Sequence, residues 1–234
     1  MTVINVVNPP ILANMASCLL YLGPFGTPNG GTVFKDRGPS NRSITTNGSV
    51  VNSTTQTKFS PASIYFPGAS SSYLSISSAQ FTLGTNWIGT CLSYLSTANQ
   101  PPAIFGSTTG LGEVGGGGAG YFYLYGFNGT GTGMQMYSTN TITVSVGWHR
   151  WVFGQTAAGA NGFLYLDGVS VPLSNNGSGN GNFDTAYSIR IGVNGYNTFY
   201  PTEYLDELAL WDSGSGVIPT ASILNNLPQR RLIV

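Results

Sequence analysis

The sequence predicts an all-β protein, an antiparallel two-sheet sandwich or jelly roll carrying one short C-terminal helix. Three observations predict it. Short runs of Val, Ile, Leu, Tyr, Phe, Trp and Thr recur along the whole chain, separated by Gly, Asn, Ser and Pro at turns roughly 8–12 residues apart. Hydrophobic residues make up 41% of the chain and aromatic residues 12%, enough to fill a sizeable core although Gly, Ser, Thr and Asn supply 102 of the 234 residues. Finally, Leu164-Tyr-Leu-Asp167-Gly168-Val-Ser-Val171 places Asp-Gly between two apolar runs. That is the signature of a two-residue hairpin turn, whose type I′ geometry demands positive φ.

In chain order the expected strands are Ser17–Leu22, Ala62–Phe66, Tyr73–Ile76, Asn86–Leu95, Ala103–Gly106 and Tyr121–Phe127. They continue with Gly133–Tyr137, Trp148–Gln155, Gly162–Leu166, Val169–Leu173, Tyr187–Gly192 and Tyr204–Trp211. These residue types suit a pleated, half-buried surface. Tyr121–Tyr125 reads as apolar on both faces, as a central strand would be, whereas Ser188-Ile-Arg-Ile191 has one apolar face. The helix is expected at Pro219–Leu227, opened by Pro219 or Thr220 and stopped by Pro228. The glycine-rich stretch Gly110–Gly120 reads as a flexible connection, because no Lys-Ser/Thr follows to make it a phosphate cradle and a strand comes next. Residues 1–15 form an uncharged apolar arm broken by Pro9-Pro10. The chain divides into that arm, a sandwich domain at 16–218, and a helix and tail at 219–234.

Charge excludes several classes. Only 7% of residues are charged, against about 25% in an ordinary domain, and eight Lys/Arg balance eight Asp/Glu. No Lys/Arg surface exists to displace counterions from nucleic acid, and no apolar run is long enough for a membrane helix. A signal peptide is not expected, since no basic residue precedes Lys35. Cys18, Cys91 and His149 are too few for a four-ligand structural zinc site. The cysteines read as small core hydrophobes with a disulfide left open, and His149 as a structural histidine with no acid positioned to orient it. The Asn-x-Ser/Thr sequons at Asn41, Asn47, Asn52, Asn128 and Asn176 follow from composition.

Five pieces, in order, resemble the concanavalin A-like lectin/glucanase superfamily in its laminin-G-like branch. They are Phe34-Lys-Asp36-Arg-Gly-Pro-Ser-Asn41, then Ala62–Gly68 with Tyr73–Ile76, and Phe81-Thr-Leu with Trp87. Gly147–Phe153 with Gly162–Gly168 follows, and last Ile191-Gly192 with Tyr204–Trp211. The resemblance covers roughly residues 16–227 and implies a two-sheet antiparallel jelly roll. It fixes no function, because that fold carries lectins, adhesion modules, hydrolases and structural proteins.

The resemblance also implies a rim calcium site with ligands Asp36, Asn41 and Asp206, although a turn at Asp36 and loop amides on Asp206 would explain both acids, and Arg37 stands beside Asp36. The glucanase acid motif is broken. Glu203 and Glu207 read as sharing a face with Leu205 between them, and Asp206 as pointing to the core side with Leu208 and Leu210. Aromatic residues Tyr196, Phe199, Tyr200 and Tyr204 crowd an Asn-rich segment and are the candidate glycan-binding residues, loop packing being the alternative. The leading expectation is a non-enzymatic structural protein on the surface of a tailed-phage particle, assembled in the host cytoplasm and contacting other virion proteins, itself as a homo-oligomer, or a host-surface polysaccharide. A carbohydrate-binding module is the second expectation and a glycan hydrolase the third.

Overall fold

The computed structural model describes residues 15–23, 28–59, 61–77, 83, 86–107, 112–117, 119–126, 134–156, 162–175, 188–196, 198–212 and 220–225. The arm at 1–14 and both expected helix ends, Pro219 and Leu227, lie outside them. In chain order the strands begin with β1 (Cys18–Leu22), β2 (Thr45–Asn47), β3 (Val51–Ser53), β4 (Ser63–Pro67), β5 (Tyr73–Ile76), β6 (Asn86–Leu95), β7 (Ala103–Ser107) and β8 (Gly112–Gly116). They end with β9 (Phe122–Gly126), β10 (Met134–Ser138), β11 (Gly147–Thr156), β12 (Gly162–Leu166), β13 (Val169–Ser170), β14 (Leu173–Asn175), β15 (Ile189–Ile191) and β16 (Thr202–Asp212). Helix α1 is Ala221–Asn225.

Two antiparallel sheets form the expected sandwich. The first runs β13-β12-β11-β6-β16-β4-β3, with β1 also paired to β16; the second runs β14-β10-β9-β8-β7-β15-β5-β2. Inward side chains of both sheets make one core. Trp87 and Phe153 of the first sheet meet Phe105 of the second at ring distances of 6.4 and 6.3 Å, and Phe122 of the second stacks on Trp151 of the first at 5.4 Å. All five rings are fully buried. Gly89, inward on β6, makes room for them, since a Cβ there would run into the Phe153 ring and come within 2.6 Å of Leu210. A smaller cluster of Tyr21, Ile88, Val152, Ala209 and Trp211 lies on the outer face of the first sheet, where Leu224 of α1 covers it.

Gly110–Gly120 is not the flexible connection its composition suggests. Gly112–Gly116 is the buried strand β8, paired to β7 and β9. Glycine serves here because neighbouring backbone approaches closely, with the carbonyl of Pro101 or Pro102 standing where a Cβ of Gly116 or Gly115 would go. The cysteines are buried and free, with the Cys18 thiol donating to the Leu20 carbonyl at 3.0 Å and pushed up to about 12 by burial.

The Asp167-Gly168 turn forms as expected, with φ of 50° and 82°. It also supplies the acid that the sequence reading of His149 lacked. His149 Nδ1 lies 2.7 Å from Asp167 Oδ2, while Nε2 lies 3.0 Å from the Ser145 carbonyl. Both nitrogens face acceptors, and the hydrogen bond to Asp167 favours the protonated ring, which donates through both. Ser145 Oγ lies 3.5 Å from Nε2, which the Ser145 carbonyl already meets at 3.0 Å, so the grouping ties the Asp167 turn to the segment before β11.

Two outcomes follow. Gly89→Ala should cost about 1–3 kcal/mol by overpacking, read as a lower denaturant midpoint at unchanged slope. Hydrogen bonding to Asp167 raises His149 above 6.5. Burial pushes Asp167 up, but the His149 and Arg150 N–H donors outweigh it and hold it below 3.8. The His149 contribution is full below pH 6.5 and fades as pH rises through the raised value, while the Asp167 contribution is present above pH 3.8 and fades on acidification below it. His149→Gln should therefore lower Tm most between these limits, near pH 5, and least near pH 9; an equal loss at both would remove the charge from the account.

Candidate tyrosine-lined binding face

Strand β9 alternates between two environments. Phe122 and Leu124 are fully buried in the core, so Tyr123 and Tyr125, with Tyr121 just before the strand, point out of the second sheet and are half-buried. Tyr137 of β10 pairs with Tyr123 in the ladder. The rings form a continuous strip, with centroids 6.5 Å apart for Tyr121–Tyr123, 5.0 Å for Tyr123–Tyr125 and 6.2 Å for Tyr121–Tyr137. On β8, Val114 points inward, so Glu113 points outward opposite Tyr125. The expectation that Tyr121–Tyr125 is apolar on both faces is thus half right: the inner face is core and the outer one is an aromatic surface with hydroxyl tips.

The segment after β15 is laid over this sheet. Gly106 permits it, because a Cβ there would sit 2.6 Å from the Asn194 carbonyl carbon. The Asn194 side chain shapes the segment by accepting from the Thr198 and Phe199 amides at 2.9 and 3.0 Å and donating to Thr198 Oγ1 at 3.2 Å. Gly195 N–H then donates to the Glu113 carboxyl, and Tyr196 stands 56% exposed. Glu113, Gly117, Tyr123, Tyr125, Asn194 and Tyr196 line a cavity of about 340 Å³. A second of about 240 Å³ adjoins it between Tyr121, Tyr123, Tyr125 and Tyr137.

Glu113 is only 3% exposed. Burial pushes its carboxyl up to about 8 against the single Gly195 donor, so at neutral pH it is mostly the protonated acid, able to donate and to accept. Its Oε1 has no hydrogen-bond partner among the described residues. Burial and the neighbouring acid also raise the Tyr123 and Tyr125 hydroxyls, keeping them neutral. The face therefore offers flat apolar rings, neutral hydroxyls and one carboxylic acid. Among the described residues, no second carboxylate lines either cavity, and glycoside hydrolysis needs a pair.

Of the four aromatic residues expected in a glycan site, only Tyr196 lines these cavities. Phe199 is buried, and Tyr200 is half-buried beside it. Tyr204 lies on the outer face of the first sheet, 4.7 Å from Tyr65 and 5.8 Å from Tyr94. Glu203 and Glu207 do not share a face. The ladder to β6 shifts between Leu205 and Glu207, making Asp206 the extra residue of a bulge. Glu203 consequently faces inward with Leu205 and accepts from the Ala103 amide of the opposite sheet, while Glu207 faces outward and accepts from Tyr21 Oη at 3.0 Å. Asp206 leaves the Leu208–Leu210 row and accepts from the Phe59 and Lys58 amides at 2.7 and 3.3 Å. Asp36 accepts from the amides of Tyr21, Gly38 and Arg42 at 2.8–3.0 Å, with Arg42 Nη1 at 3.5 Å, and Asn41 is exposed with φ of 44°. Among the described residues, no three His, Cys, Asp or Glu side chains gather as a metal cluster.

No protein-family model matches the chain, and no curated protein sequence does. Solved structures do. The botulinum neurotoxin serotype D ligand-binding domain, solved in complex with N-acetylneuraminic acid, matches over 92% of this chain and 51% of its own, with 10% identity and a TM-score of 0.58. The botulinum neurotoxin DC binding domain, in complex with rat synaptotagmin II, matches over 89% and 50%, with 11% identity and a TM-score of 0.59. The binding domain of Paraclostridial Mosquitocidal Protein 1 matches over 89% and 51%, with 9% identity and a TM-score of 0.55. The chain spans about half the length of these binding domains. At such identities the likeness is one of fold, and the fold it shows is the lectin-type β-sandwich.

Proposed function

We propose that the chain is a non-catalytic glycan-binding module whose binding face is the outer surface of the second sheet, with Glu113, Tyr123, Tyr125 and Tyr196 as contacts. The observation that carries this reading is a cleft walled by Tyr123, Tyr125 and Tyr196 and lined by the carboxyl of Glu113. A sugar ring presents apolar C–H faces to tyrosine together with hydroxyls at its edge. Two of the structurally similar proteins are described with N-acetylneuraminic acid or with gangliosides, which supports the reading. The expected calcium ligands Asp36, Asn41 and Asp206 line neither cavity, and main-chain amides donate to Asp36 and to Asp206 Oδ2.

A second reading supplies the setting, the surface of a tailed-phage particle. Composition favours it: net charge is zero, only 7% of residues are charged, and the two cysteines are free, as suits assembly in a reducing cytoplasm. With so little charge to keep copies apart, the module self-associates or docks on a particle through the apolar arm at 1–15.

Two outcomes test these readings. On a glycan array the chain should bind with or without chelator, and Tyr125→Ala should weaken the best ligand about tenfold or more, about 1.4 kcal/mol; a blank array would reject the glycan reading. In sedimentation the full chain should associate almost independently of salt, and a chain starting at Ala16 should not. Identical monomers would reject the assembly role of the arm.

A further inference from the structure

We propose that the tyrosine face takes a neutral, unbranched glycan lying along β9, about three sugar rings in length, and does not select for acidic sugars. This rests on the glycan-binding reading above and deepens it. Tyr121, Tyr123 and Tyr125 occupy alternate positions of one extended segment, so their attachment points span ~14 Å, a run on the order of three rings. The two cavities share Tyr123 and Tyr125 and adjoin each other. They therefore form a strip and not a single closed pocket. Such a strip suits the interior of a linear chain, whereas a terminal sugar would call for an end wall.

The charge of the ligand follows from what lines the strip. Among the described residues, no Lys, Arg or His lines either cavity. Arg190 shares the outer face but holds its guanidinium over the Tyr73 ring, 4.5 Å from the centroid. Its backbone pairs with Gly106, the position covered by the Asn194–Gly195 segment. Among the described residues, the one carboxyl lining the strip is that of Glu113. A ligand carboxylate would be desolvated there beside Glu113 with no cation to compensate it. A hydroxyl or acetamido group meets a partner able to accept from it and to donate to it.

Titration calorimetry of the full chain tests this at pH 7. The probes are β-1,4-linked gluco- and N-acetylglucosamine oligosaccharides of one to six units, and lactose against its sialylated form. In at least one neutral series, affinity should rise tenfold or more from one unit to three and change less than threefold from four to six. Tyr121→Ala should weaken the trimer more than the dimer, because it removes one end of the strip. Sialylation should give no gain. Tighter binding of sialyllactose than of lactose would overturn the neutral-ligand inference and leave the glycan-binding reading standing. Affinity that does not change with length would overturn the linear-strip inference alone. No binding to any of these sugars, or on the wider array, would remove the underlying reading. Capture of a proline-rich peptide with no sugar bound would assign the same strip to a peptide and overturn both.

Discussion

The contact on which the rest depends is the aromatic cluster between the sheets. A chain with 7% charged residues has no ionic frame, so the sandwich is held by apolar burial and by the ladders. Trp87, Trp151 and Phe153 press against Phe105 and Phe122, each fully buried. Large interlocking rings set the inter-sheet distance and the register together, because a one-residue slip would turn a whole face outward. The period of two then dictates what lies outside. Placing Phe122 and Leu124 in the core leaves Tyr121, Tyr123 and Tyr125 facing out. The candidate binding face is thus the other half of the pattern that builds the core.

Much of the fold is legible in the sequence for this reason. The bounds of β5, β6 and β12 coincide with their apolar runs, and Asp167-Gly168 makes the expected turn. What escapes is structure held by neighbours instead of by composition. Strands β2 and β3 are three residues each, TTN and VNS, and owe their conformation to β5 and β4. Strand β8 is mostly glycine, and close backbone at Pro101–Ile104 leaves no space for side chains at Gly115 and Gly116. The bulge at Asp206 is invisible in a period-two count, yet it sends Glu207 to the face opposite Glu203.

The candidate face was half legible on similar grounds. Alternating tyrosines are plain in the sequence, and so is the aromatic, Asn-rich segment containing Tyr196. Their meeting depends on Asn194 folding its segment back over Gly106, a contact between β7 and the link to β16 with no sequence signature. Tyr204 shared the compositional cue but belongs to β16, whose inward Leu205 sends it to the far surface of the other sheet. Glu113 was obscured by the glycines around it, although Glu-Val in a glycine run is the two-residue trace of one outward and one inward position.

Among the described residues six carboxylates are buried, and most serve the fold. Asp36 and Asp206 bind main-chain amides, Glu207 accepts from Tyr21, and Glu203 bridges the sheets through Ala103. Glu113 differs. Its one amide donor, Gly195, belongs to the segment that walls the cleft, and its carboxyl lines that cleft. Raised to about 8, it destabilises the folded state progressively as pH climbs from the ordinary glutamate range through that value, since the unfolded chain releases its proton first. A glutamine or an aliphatic residue would hold the same strand without that loss. A buried acid that weakens the fold while lining a cleft is the arrangement expected where stability yields to recognition.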